Sequence, residues 1–187
     1  SDLDADGKIT SDDRTMIGNP YPNAILGFTG NIFYKVFDLS VFVQSFIGND
    51  IFNATTRWDL GVQNRPAYRL DRWTDENPSF TEPRAIINDR NGNFRVSVED
   101  GSFVRLKNIQ FGVTIPKNLS KKAFVQKLRW YVNIQNLVTF TNYRGMDPEI
   151  GKSNGFSNDQ SANLDVGIDR GYYPQARVFT TGFNITF

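Results

Sequence analysis

The acidic residues that open the chain are spaced to hold a cation. Asp2, Asp4, Asp6, Gly7, Lys8, Thr10 and Asp13 occupy positions 1, 3, 5, 6, 7, 9 and 12 of an EF-hand-type calcium loop. Carboxylates at alternate residues converge on one ion, and Gly7 permits the sharp turn. Lys8 offers its backbone carbonyl, and Thr10 its hydroxyl or a bridging water. Asp13 stands where Glu is usual and is one methylene shorter, which reduces bidentate reach. Four carboxylates in so short a loop repel one another unless a cation neutralises them. Asp2, Asp4, Asp6, Lys8, Thr10 and Asp13 are therefore candidate ligands for a structural Ca2+ with a rigidifying, non-catalytic role. The competing reading is a solvated acidic turn.

Other site chemistry is largely excluded. The chain has no Cys and no His. That removes disulfides, thiol catalysis, a Ser-His-Asp triad and His- or Cys-ligated metals. Asp12-Asp13, Asp75-Glu76 and Glu99-Asp100 are adjacent carboxylates, but neighbours in extended chain point apart and do not make an acid/base pair. With no nucleophile arrangement and no phosphate loop, no enzyme is expected. Lys plus Arg number 21 and Asp plus Glu 20, a formal charge of +1. No sign dominates, so nucleic acid is not an expected partner.

The elements that position these residues have a period of two, not 3.6. In 24–34, Ala24, Leu26, Phe28, Ile32 and Tyr34 share one face. In 37–46, Phe37, Leu39, Val41 and Val43 alternate with Asp38, Ser40 and Gln44. In 128–136, Leu128, Trp130, Val132 and Ile134 alternate with Arg129, Asn133 and Gln135. At the end, Phe179, Phe183, Ile185 and Phe187 share a face against Thr180, Asn184 and Thr186. Segment 102–115 is strand-like with a broken phase: Ile109, Phe111, Val113 and Ile115 alternate well, while Arg105 and Lys107 continue that same face. Aromatic residues make up 14% of the chain and concentrate on the apolar faces. The opposite faces carry Asn, Gln, Thr and Arg, the division seen where lipid lies on one side and a wet lumen on the other.

Connections between these strands alternate short, long, short, long. Lys35-Val36-Phe37 forms a tight turn, and 116–126 a short one. By contrast, 49–101 and 139–175 far exceed the ~12–15 residues usual in compact domains. That rhythm matches a transmembrane barrel with short periplasmic turns and long outer loops. The expected organisation is all-β and antiparallel: 1–22 an extracellular acidic loop, 23–48 a hairpin, 49–101 an extracellular loop, 102–138 a hairpin, 139–175 an extracellular loop and 176–187 a terminal strand. Five strands cannot close such a barrel, and an open edge in lipid leaves backbone groups unsatisfied. The segment is thus expected to be the C-terminal part of a larger barrel, and its charged, Met-less start that of a mature end or fragment. No apolar run reaches the ~18 residues of a membrane helix.

Specific blocks carry a family resemblance. They are Asp2-Leu3-Asp4-Ala5-Asp6-Gly7-Lys8-Ile9, Ile17-Gly18-Asn19-Pro20, Phe37-Asp38-Leu39-Ser40-Val41-Phe42 and Gly48-Asn49-Asp50-Ile51, followed by Arg72-Trp73-Thr74-Asp75-Glu76-Asn77-Pro78-Ser79. Glu99 to Ile109, Asn136-Leu137, Asp147-Pro148-Glu149, Tyr173-Pro174 and the terminal Phe187 complete the series. In this order the sequence resembles the C-terminal portion of SusC/RagA-type TonB-dependent outer-membrane transporters of Bacteroidetes. The resemblance implies a 22-stranded barrel with an N-terminal plug in the bacterial outer membrane. It implies import of oligosaccharide or oligopeptide, energised through TonB, beneath a SusD-like surface lipoprotein. It also implies that Phe187, Ile185 and Phe183 serve as a barrel-assembly signal besides meeting lipid. Ser45 departs from the Gly common before the Gly48-Asn49-Asp50 stretch.

Trp58, Tyr68, Trp73, Phe80, Tyr143, Phe156, Tyr172 and Tyr173 stand in otherwise polar loop sequence. They could stack on sugars or pack on a partner, but the reading preferred for each is that it holds its own loop together. Asp147-Pro148-Glu149 reads as a turn. The alternative function is a soluble extracellular β-domain, stabilised by calcium and binding carbohydrate through loop aromatics.

Overall fold

The computed structural model describes residues 3, 5–7, 11–55, 67–82, 84–85, 97–120, 125–150 and 166–187. Eight strands are present among them: β1 (Ala24–Tyr34), β2 (Phe37–Ile47), β3 (Asp50–Asn53), β4 (Val98–Asp100), β5 (Phe103–Thr114), β6 (Lys127–Thr141), β7 (Ile168–Asp169) and β8 (Val178–Thr186). Five of these form one sheet in the order β1-β2-β5-β6-β8, with every pairing antiparallel. The long strands β1, β2, β5 and β6 contain 11, 11, 12 and 15 residues. A tilted strand needs about 9–11 to cross a hydrocarbon layer.

The two ends of this sheet differ. At one end the connections are short. β1 and β2 join through Lys35-Val36, with Lys35 in the left-handed region at φ 54. β5 and β6 join through 115–126, which carries a short helix, Lys117–Ser120. Ile115 N–H donates to Leu128 O at 2.8 Å and Gln126 N–H to Thr186 O at 2.8 Å, closing this end.

At the other end the β2–β5 pair continues past Gly48-Asn49 and Gly101-Ser102 as the β3–β4 pair. β7 adds to β3 in parallel, giving a second, three-stranded sheet. The loops read from sequence as two long excursions are therefore tied together in their described parts. The segment before β1 joins them: Asp50 N–H donates to Asn19 O at 2.7 Å, and Asn19 N–H to Asp50 Oδ2 at 2.8 Å. The buried apolar side chains among the described residues, Ile51, Phe103 and Tyr143, all lie at this end.

Register assigns the faces, because residues paired directly share one. Phe28 faces Val43, Ile32 faces Leu39 and Leu39 faces Phe111; Trp130 faces Phe183 and Ile134 faces Phe179. One broad face results, and its rings are largely exposed: Phe28 by 66%, Phe179 by 67% and Phe183 by 65%.

The broken phase of 102–115 is a β-bulge. Leu106 pairs with Val43 and Asn108 with Phe42, so Lys107 is left over. The extra residue reverses the alternation. Leu106 and Val104 therefore join the apolar face, and Arg105 falls on the polar one. The expectation that Arg105 and Lys107 share the face of Ile109 is thereby corrected. Opposite Lys107, β6 carries its own extra residues, Asn136 and Leu137, with Asn136 at φ 52.

Hydroxyls that remain on the apolar face of β2 and β8 are satisfied within the sheet. Ser45 Oγ donates to Phe103 O at 2.9 Å. Thr181 Oγ1 donates to Tyr131 O at 3.0 Å and accepts from Trp130 Nε1 at 2.8 Å. Ser45 is accommodated by its bond to Phe103 O.

Candidate functional site

Arg105, placed on the polar face by the bulge, is the centre of the densest polar cluster. Its Nε donates to Thr139 Oγ1 on β6 at 2.7 Å. Its Nη2 meets Asp147 Oδ1 at 2.5 Å and its Nη1 meets Glu149 Oε2 at 2.6 Å. Lys107 Nζ reaches both oxygens of Glu149 at 2.6 Å. Asp147 also accepts the N–H of Glu149 at 2.8 Å and that of Gln175 at 3.0 Å. One carboxylate therefore joins the sheet to both limbs of the connection between β6 and β8. Arg105 is 2% exposed and Asp147 5%. Burial alone raises the Asp147 pKa, but the Gln175 N–H, the Arg105 guanidinium and the Glu149 N–H outweigh it and hold the carboxyl below its ordinary range.

Beside this cluster lies an open groove of about 370 Å3, lined by Arg105, Asn136, Thr139, Met146, Gln175 and Arg177 among others. It presents amide, hydroxyl and guanidinium groups to solvent, suited to hydrogen-bonding a polar solute.

Nearer the short-turn end the polar face holds a second ion pair. Arg129 Nε donates to Asp38 Oδ1 at 2.9 Å, and Arg129 Nη2 pairs with Asp38 Oδ2. The pair crosses β5 over Gly112, where an added Cβ would lie 2.4 Å from Arg129 Nη2 and 2.5 Å from Asp38 Oδ1. Tyr131 lies over Gly182 in the same way, its hydroxyl 2.7 Å from where a Cβ would stand. Glycine on this face makes room for side chains from the next strand.

The loop-end sheet has its own polar core. Asp169 is fully buried; its Oδ2 accepts the Tyr143 hydroxyl at 2.5 Å, and its Oδ1 accepts the N–H groups of Gly171 and Tyr172 at 2.8 and 3.0 Å. Burial, then the bond to Asp169, pushes the Tyr143 phenol far above its ordinary pKa. Glu82, 4% exposed, pairs with Arg69 and, at 3.1 Å, with Arg144. Arg144 also meets Glu99 at 3.3 Å and stacks on Tyr68 at 4.4 Å. Burial opposes the charge of Arg144, but Glu82 and Glu99 raise its pKa overall.

These contacts sort the residues singled out from sequence. Of the candidate calcium ligands, Asp2, Asp4, Lys8 and Thr10 lie outside the described residues. Asp6 and Asp13 lie within them. Gly7 has φ 82, as the sharp turn requires, and Leu3 N–H donates to Asp13 Oδ1 at 2.5 Å, bringing the two ends of the loop together. Among the described residues no group of three or more acidic side chains converges as a metal site.

Phe183 and Ile185 lie on the apolar face of β8, with Phe187 exposed just beyond it. Tyr143 holds its loop together, whereas Phe80 and Tyr173 are 103% and 89% exposed. Trp58 and Phe156 are outside the described residues. Glu99 and Asp100 point apart, the first to Asn53 and Arg144, the second to Ser102.

Asp147-Pro148-Glu149 is more than the turn expected of it: both carboxylates grip β5. The signal that could have found them was the phase break at Lys107, which marks a bulge and frees two cations to face the polar side.

No protein-family model matches the chain. It is 39% identical over 188 residues to TonB-dependent receptor P3 of Formosa agariphila, covering all of this chain and 18% of that protein. It is 34% identical over 191 residues to TonB-dependent receptor P26 of the same organism, covering all of this chain and 19% of the relative. With TonB-dependent receptor SusC of Bacteroides thetaiotaomicron it shares 25% identity over 190 residues, again covering all of this chain and 17% of the relative. The chain thus spans about a fifth of the length of the curated relatives it matches. Among solved structures, the RagAB peptide importer in its closed-closed state superposes with a TM-score of 0.71 at 23% identity, over 96% of this chain and 19% of that one. Its open-open state gives 0.65 over 89% of this chain and 17% of that one.

Proposed function

Because the chain belongs to the TonB-dependent receptors of the SusC/RagA type, we propose that it forms part of the wall and outer mouth of an outer-membrane nutrient importer. The apolar face meets lipid, and the face of Arg105, Asp38 and Arg129 lines the lumen. The loop-end sheet stands on the cell surface. The free edges of β1 and β8 pair with strands of the rest of the barrel. The whole receptor takes up oligosaccharide or oligopeptide, driven through TonB and working with a SusD-like lipoprotein. The calcium loop at the chain's start stiffens the outer surface.

The observation that carries this reading is the apolar face itself. It is broad and exposed, and the hydroxyl of Thr181 and the indole N–H of Trp130 on it are bonded within the sheet. Water would satisfy such groups without help; hydrocarbon would not. A soluble carbohydrate-binding domain would instead have to cover those rings, since exposed apolar patches of that extent promote association. The import reading draws its support from the relatives' names, and the peptide option from the RagAB likeness in fold.

The test is fractionation of cells producing the full-length receptor. The protein should partition with the outer membrane and shift mobility on heating in detergent gels. A soluble, monomeric product in neutral buffer would overturn the barrel reading. A strain lacking the gene should lose growth on one class of oligosaccharide or oligopeptide.

A further inference from the structure

The groove beside Arg105 carries a charge that its surroundings do not balance. Arg105 and Lys107 bring two positive charges, and Asp147 and Glu149 bring two negative ones, paired at 2.5–2.6 Å. That cluster is neutral within itself. Arg177, which lines the same groove just ahead of β8, is exposed and has no ion pair or hydrogen bond among the described residues. By contrast, Arg129 on the same sheet is held by Asp38. We propose that this groove binds the C-terminal carboxylate of an oligopeptide, with Arg177 as its charged contact, and is a cargo site on the lumen wall. The proposal deepens the import reading above and rests on it.

The make-up of the groove selects that ligand. A guanidinium is the side chain best matched to a carboxylate, since two parallel N–H groups meet two oxygens. The carboxylates nearby do not compete for it. Asp147 Oδ1 accepts from Arg105 and the Glu149 N–H, and its Oδ2 accepts from the Gln175 N–H. Asn136 spends its Nδ2 on Ala176 O at 3.1 Å, which leaves its Oδ1 as an acceptor. Gln175 is exposed and keeps its side-chain amide for solute. Such groups match the alternating N–H and C=O of a peptide backbone. Met146, 68% exposed, joins Pro148 and Pro174 as the apolar part of the lining. A methionine adapts to side chains of different shape, which suits cargo of mixed sequence. Among the described residues that line the groove there is no Trp, Tyr or Phe, so it offers no ring on which a sugar face stacks. Its volume of about 370 Å3 is at the small end of ligand sites, room for the end of a chain.

The test uses the full-length receptor purified in detergent. Two tetrapeptide libraries of identical sequences are offered, one with free C-terminal carboxylates and one with C-terminal amides. Retention at equilibrium dialysis is read by mass spectrometry. Wild-type receptor should retain free acids about tenfold over amides, the change expected for roughly one charge-assisted hydrogen bond. Arg177→Gln should bring the two libraries within twofold of each other and leave retention of the amides unchanged. Arg177→Lys should restore part of the preference, because charge returns without the bidentate geometry.

Equal retention of acids and amides by wild type, or a preference that survives Arg177→Gln, overturns the site. A uronic-acid hexamer serves as the sugar-borne carboxylate. Its retention by wild type and loss in Arg177→Gln, with neither peptide library retained, overturns the peptide assignment. The import reading fails separately. A wild-type receptor that does not fractionate with the outer membrane refutes that reading, whereas an outer-membrane receptor without acid preference refutes only the carboxylate site. Should Arg177→Gln fail to reach the membrane, Arg177→Lys carries the comparison: a reduced preference supports the site, and an undiminished one refutes it.

Discussion

Removing one oxygen from Tyr143 tests whether the loop-end sheet is held by its buried polar core. In Tyr143→Phe the ring remains in place, so no cavity opens. What is lost is the hydroxyl donated to Asp169 Oδ2 at 2.5 Å. Asp169 keeps the two backbone donors on Oδ1, but Oδ2 loses the Tyr143 donor in a site with no solvent exposure. A hydrogen bond to a charged group contributes about 1.5–3 kcal/mol, and a buried acceptor left short of partners costs in the same range. Taking ~2 kcal/mol as the loss, local opening should become roughly thirtyfold more frequent.

The reporting amides are those of Phe52 and Ala54, which donate across to Gly167 O and Asp169 O at 2.8 Å each. Hydrogen exchange read by mass spectrometry on the full-length receptor in detergent should show that loss of protection in peptides spanning 50–55 and 166–172. Peptides from β1 should be unaffected.

The same bond gives a sign to the alkaline limb. The phenol's pKa is raised above its unfolded value of about 10, so its stabilising contribution is complete below about pH 10 and is lost as pH climbs toward the folded value. Wild-type protection at 50–55 should therefore fall above about pH 10, and Tyr143→Phe should remove that dependence. Protection within twofold of wild type would refute the view that this pair closes the sheet.

Further perturbations follow from contacts of the same kind. Gly112→Ala should force the Arg129–Asp38 pair apart and lower the receptor's thermal midpoint by several degrees, while Gly171→Ala, with nothing within 4 Å, should cost only the strain of its positive φ of 99. At Gly101 a methyl would meet Asn49 Nδ2 at 2.4 Å and Ile51 Cδ1 at 2.7 Å, so Gly101→Ala should destabilise by about 1–3 kcal/mol, read as increased exchange in 97–103. Deleting Phe187 should reduce the amount of inserted, heat-modifiable receptor while leaving transport per inserted molecule unchanged. Calcium at roughly 0.1–1 mM should slow exchange in the peptide containing residues 3–13, and Asp13→Ala should abolish that response.

How much of this was legible in the sequence depends on how local each signal is. A strand with one apolar face writes its own period, and Leu128, Trp130, Val132 and Ile134 announce β6 without reference to anything else. The bulge was visible as a phase break at Lys107, yet its meaning was not. Alternation alone placed Arg105 with Ile109, and only pairing with β2 and β6 shows that the extra residue turns it over. The partners of Arg105 were illegible for a different reason: Asp147 and Glu149 lie 42 and 44 residues away. An Asp-Pro-Glu run has the composition of any exposed turn. The loop-end sheet was missed because β4 and β7 are three and two residues long, too short to show a period. Asp169 reads as one more polar loop residue until Tyr143 is seen to reach it.

The pairing of β3 with β4 shows how one ribbon serves two surroundings. Along β2 and β5 one side of the ribbon is apolar and exposed, the arrangement suited to lipid. Past Gly48-Asn49 and Gly101-Ser102 the same two chains become β3 and β4, where Ile51 is buried within a covering of loops. The change requires the ribbon to turn, and the junction residues are those that allow it. Gly48 has φ 79, and Gly101 packs where no side chain fits. Ser102 Oγ accepts the Gly48 N–H at 2.9 Å and donates to Asp100 Oδ1 at 2.5 Å, supplying bonds that the interrupted ladder no longer makes. A boundary between solvents thus needs neither charge nor a long linker; two glycines and one hydroxyl suffice to let a lipid-facing pair of strands end in a water-facing one. The Arg105–Asp147 pair stands on the strand side of that boundary and is fastened by the described residues of the connection beyond it, Glu149 and Gln175 among them.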